Sequence, residues 1–65
     1  MRYITNCEIA DEDWKTQCAL GYPNIPANTE VEMVKKEYRN FYGCWCIVRW
    51  NGQAYYTLRN NIKEE

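Results

Sequence analysis

The chain predicts a mainly β domain: a meander of about five short strands with a short N-terminal helix or irregular cover. Three observations lead there. Asn51-Gly52 stands between two apolar-aromatic runs, Gly43–Trp50 and Gln53–Leu58. Both turn residues tolerate the positive φ of a type I′ turn, so the pair marks a tight hairpin. Upstream, Thr29, Val31 and Met33 alternate with Glu30 and Glu32, the period of a strand with one wet face. At 65 residues there is room for one domain, which buries only about 60% of the surface its unfolded chain exposes. Ten aromatic residues (three Trp, six Tyr, one Phe) enlarge what so small a core can bury.

From the N-terminus, Tyr3, Thr5 and Cys7 alternate with Ile4, Asn6 and Glu8, which predicts a first strand within 3–9. Residues 11–20 read as a short helix. Asp11 caps it, Glu12 and Asp13 suit its positive end, and Trp14 and Cys18 share a face at i, i+4. Gly21 follows as a C′ residue. The two prolines of Tyr22–Asn28 forbid a helix and stiffen a connector.

A strand is expected over 29–35, then a polar loop, Lys35–Tyr42, studded with aromatics. The run 44–50 is apolar on both parities, with Cys44, Cys46, Val48 and Trp50 on one and Trp45 and Ile47 on the other. That pattern predicts a central strand covered on both sides, the N-terminal segment being the second cover. After the hairpin, Ala54, Tyr56 and Leu58 share a face, and Leu58–Ile62 reads as a tight or 3₁₀ turn into a short last strand.

Charge is nearly balanced, with 8 basic and 9 acidic residues. Residues 1–28 carry a net −2 and residues 29–65 a net +1, so no field of one sign draws the chain to nucleic acid or anionic lipid. Neither a signal peptide nor a membrane-length apolar run is visible, and a cytoplasmic setting with no membrane contact is the expectation. Of the four cysteines, Cys44 and Cys46 sit two apart on a predicted strand, at the limit of disulfide reach. There is no His and no C-x₂₋₄-C pair. Buried thiols are the favoured state, with zinc or disulfide use of Cys7, Cys18, Cys44 and Cys46 left open. No cofactor or metal is called for. Without His, a phosphate-cradling loop or a nucleophile beside a base, no enzyme chemistry is expected.

The order Ile25-Pro26-x-x-Thr29-x-Val31, a loop, Gly43-x-Trp45-x-x-Val48-x-Trp50-Asn51-Gly52-x-x-Tyr55-Tyr56-x-Leu58, then Asn61-Ile62 resembles the small Src-homology-3-like barrels of bacteria and phages. The resemblance spans 25–62 and implies a single small barrel of about five strands. It also implies kinship with phage and mobile-element products, some of which bind and inhibit a host protein. Polyproline recognition does not carry over: the Ala-Leu-Tyr-x-Tyr segment is missing, and the loop 35–42 is basic rather than acidic.

Function is therefore expected to be binding, as a monomer or homodimer. Tyr38, Phe41 and Tyr42 beside Lys35, Lys36 and Arg39 make a candidate surface for a protein partner, since Tyr and Arg dominate interface hot spots. The alternative is a single-stranded nucleic-acid binder. Lys35, Lys36, Arg39, Arg49 and Arg59 would line its groove, with Trp50 and Tyr55 as stacking platforms. The acidic pI of about 5.4 weighs against it.

Overall fold

The computed structural model describes residues 2–11, 21–41 and 43–65. It holds five strands: β1 (Tyr3–Thr5), β2 (Glu30–Asn40), β3 (Gly43–Trp50), β4 (Gln53–Leu58) and β5 (Ile62–Glu64), with a 3₁₀ turn at Arg59–Asn61 before β5. They form one antiparallel sheet in the order β4-β3-β2-β1-β5. Of the helix expected over 11–20, residues 12–20 lie outside the described residues. Asp11 Oδ2, at their near end, accepts the Tyr22 N–H at 2.6 Å.

The Asn51-Gly52 hairpin forms as its chemistry requires. Both residues have positive φ, 51° and 78°, and Trp50 pairs with Gln53 across them. Three elements depart from expectation. The first strand ends at Thr5 instead of continuing to residue 9, because its backbone changes partners there. The Thr5 N–H goes to Thr29 O at 3.0 Å, and the Asn6 N–H goes to Asn61 O at 2.7 Å.

The second departure is the largest. The polar loop over 35–42 is not a loop: β2 runs on to Asn40, which pairs with Gly43. Two irregularities hide this strand from a period-2 pattern. Met33 pairs with Val48 but Lys35 with Ile47, and Lys35 with Ile47 but Tyr38 with Trp45. Each step places one extra β2 residue against β3, so alternation slips twice while pairing continues.

Third, the sheet does not close into the expected barrel. β4 and β5 lie at its two edges and share no ladder among the described residues; the 3₁₀ turn joins them. β2 bridges the two halves. Glu30 and Val31 pair with β1, and Glu32 onward pairs with β3.

The core lies on one face of this sheet. Val31, Cys46, Val48, Tyr55 and Ile62 pack with Ile9 and Ile25 of the long β1–β2 connection, with Tyr3, Tyr22, Met33 and Trp50 around them. Ile9 and Ile25 hold each other through paired backbone hydrogen bonds of 2.8 and 2.9 Å. The described part of the N-terminal segment thus covers the Cys46–Val48 side of β3. Trp45 and Ile47, on the other side, are half-buried, and the rest of the expected N-terminal cover, residues 12–20, lies outside the described residues.

Candidate functional site

The register places three rows of side chains on the outer face, away from Ile9 and Ile25. Glu32, Arg49 and Ala54 form the first, Lys35, Ile47 and Tyr56 the second, and Tyr38, Trp45 and Leu58 the third. Directly opposed residues on neighbouring strands lie about 4.5–5.5 Å apart, close enough to act as one surface. The β2 irregularities build it: they set Glu32, Lys35 and Tyr38 on one face at a spacing of three where a regular strand allows only two. Leu58 is 41% exposed and Val34 46%, while Phe41, at the end of the β2–β3 hairpin, is 96% exposed. Scattered exposed apolar residues are ordinary, but a contiguous set rimmed by charge marks an interaction surface.

The charged groups on and around this face are mostly matched. Arg49 reaches Glu32 at 3.3 Å, Arg39 reaches Glu37 at 2.8 Å, and Lys36 reaches Glu64 at 2.9 Å. The Arg39 guanidinium, aided by a Cys44 Sγ–H···Glu37 contact of 3.7 Å, holds the Glu37 carboxyl below its ordinary range. Lys36 does the same to Glu64, and its own ammonium is raised in return. Lys35 differs: its Nζ sits 4.7 Å over the Tyr38 ring. That is a cation–π contact, and no carboxylate among the described residues pairs with this ammonium.

Of the residues expected to form the site, the structure brings Lys35 and Tyr38 together on the outer face and sets Phe41 at the hairpin end. Tyr42 lies outside the described residues. Arg49 shares the face two rows away, tied to Glu32. Arg39 pairs with Cys44, on the other parity from Tyr38 and Trp45, and Lys36 turns to β5. Trp50 packs against the core.

Tyr55 is no surface platform. It is 2% exposed, stacks edge-on with Tyr22 at a centroid distance of 6.3 Å and donates its hydroxyl to Pro23 O at 2.6 Å. Burial is also the main cause that raises its hydroxyl's pKa. Of the two expected stacking platforms, Tyr55 is thus buried, whereas Trp50 keeps part of its surface exposed.

Trp45, Ile47, Tyr56 and Leu58 were not singled out by sequence, because an apolar residue in a strand is read as core. The clue lay in the run 44–50, apolar on both parities.

Three of the four cysteines fall among the described residues. Cys7 is exposed, Cys44 half-buried and Cys46 buried, and burial pushes the Cys46 thiol up to about 11. Among the described residues no three His, Cys, Asp or Glu side chains are grouped to hold a metal ion, and no helix is long and apolar enough to cross a membrane. No family model matches the chain, and no curated protein or solved structure matches it either.

Proposed function

We propose that this chain is a non-enzymatic protein-binding module of Src-homology-3-like topology, its partner docking on the outer face of β2, β3 and β4. One observation carries the proposal: a contiguous apolar and aromatic set, Tyr38, Trp45, Ile47, Tyr56 and Leu58, stays partly exposed opposite the core, with Phe41 beyond it. Aromatic residues in such a patch are the side chains that concentrate binding energy. The topology has its own support in the strand order β4-β3-β2-β1-β5, the long β1–β2 connection and the 3₁₀ turn before β5. A host protein as the target of a phage or mobile-element product belongs to the same proposal.

The charge pattern favours protein over nucleic acid. Arg2, Lys36, Arg39, Arg49, Arg59 and Lys63 each lie within ion-pair distance of a glutamate. Phosphate binding would have to break these pairs, whereas free cations gain by releasing counter-ions.

The test is affinity capture from source-cell lysate, with and without nuclease, using the wild type and a Leu58→Asp variant shown to be folded by circular dichroism. The expected result is one protein retained through nuclease treatment and lost on the order of 30-fold with Leu58→Asp, the scale of a hot-spot loss of about 2 kcal/mol. Capture that disappears with nuclease would replace the protein-binding function with the nucleic-acid one.

A further inference from the structure

We infer that the partner segment is apolar with a single carboxylate placed to meet Lys35, that is, an Asp or Glu flanked by aliphatic or aromatic side chains. The inference rests on the docking face proposed above and names the chemistry that fits it.

Lys35 stands apart among the described cations. The six others have a glutamate within 4.0 Å. Lys35 has only the Tyr38 ring, and no described carboxylate pairs with it. Its position makes that matter. It sits in the middle row of the outer face, opposite Ile47, with Tyr56 beyond and the Trp45–Leu58 row alongside. The carboxylate nearest in register on this face, Glu32, is held by Arg49 at 3.3 Å.

A partner that covers the apolar rows must cover Lys35 too. Removing an ammonium from water without a counter-charge is costly, and the quadrupole of one ring offsets only part of that cost. The partner therefore has to bring the negative charge, and the apolar neighbours select what surrounds it. A polyanion is a poor match, because the one cation without a carboxylate partner among the described residues neutralises one phosphate. A helix or strand with one acidic residue inside an apolar stripe satisfies both demands. The face also rejects wrong partners: a basic residue at this place would meet Lys35 as a like charge across a desolvated contact.

The test is selection of a random-peptide display library on the purified full chain, in parallel on the wild type and the Lys35→Glu variant, with Leu58→Asp as a map of the face. The expected outcome is enrichment of Asp or Glu between apolar residues on the wild type. Those peptides should lose tenfold or more in affinity on Lys35→Glu, which should itself select Lys or Arg at that place. Peptides that lose affinity on Leu58→Asp yet bind wild type and Lys35→Glu equally, with no acidic preference, would overturn the carboxylate while keeping the face. Peptides indifferent to both substitutions, or no enrichment at all, would overturn the face and the inference together.

Discussion

Replacing Ile25 with alanine is expected to remove about 2–5 kcal/mol of stability, the cost of deleting a buried aliphatic side chain and leaving a cavity. A 65-residue domain has roughly 3–10 kcal/mol in total at about 0.05–0.15 kcal/mol per residue. A large part of the variant should therefore be unfolded under conditions where the wild type is native. Ile25 is 0% exposed. Its backbone pairs with Ile9, and its side chain joins the β1–β2 connection to Val31, Cys46, Val48, Tyr55 and Ile62. Urea denaturation followed by circular dichroism measures the loss. A loss under about 1 kcal/mol, well below what a buried cavity costs, would mean the Ile9–Ile25 segment is not part of the cooperative unit.

Thr5→Val is the second large effect, and it is polar in origin. The side chain keeps its shape and loses one hydroxyl, yet Thr5 is 0% exposed and that hydroxyl has two partners. It donates to Pro26 O at 2.8 Å and accepts the Thr29 N–H at 2.9 Å. The Thr5 N–H and C=O are engaged with Thr29 and Asn28. Thr5 thus closes the long connection onto the start of β2. A buried group stripped of its partner costs about 1–3 kcal/mol, so two give about 2–6 kcal/mol when both ends stay dry. Thr5→Ser keeps the hydroxyl and should lose only about 1 kcal/mol, the worth of one buried methyl group. Equal stability of the valine variant and wild type would show that the hydroxyl closes nothing.

These two residues show where sequence reasoning stops. The Asn51-Gly52 hairpin, the strand over 53–58 and the 3₁₀ turn before Ile62 follow from local chemistry: positive φ, alternation and a short polar segment. Thr5 acts through partners 21 and 24 positions away in sequence and Ile25 packs with residues as distant as Ile62, and no local pattern announces those partners. β2 failed for another reason. Its pairing is regular enough to form a strand, but two extra residues reset the alternation, and Lys35–Asn40 then looks like a polar loop. The candidate site inherits both difficulties. Lys35, Tyr38 and Phe41 stand out by residue type, whereas Trp45, Ile47, Tyr56 and Leu58 were hidden by being apolar. Tyr55 and Trp50 were proposed for the surface because aromatic residues in strands look alike whichever way they point. Parity relative to Val48 separates them: Tyr55 shares its register position and is core, and Tyr56 does not.

The docking face is tested most directly by placing a photo-crosslinking amino acid in the full chain, one site at a time, inside the source cell. Leu58 and Phe41 report on the outer face and its hairpin end, while Asn24 and Lys63, both exposed, report on surfaces away from it. The predicted result is one discrete protein adduct from positions 58 and 41 and none from 24 or 63. The same adduct from 24 or 63, with none from 58, would place the binding surface elsewhere and contradict the central claim.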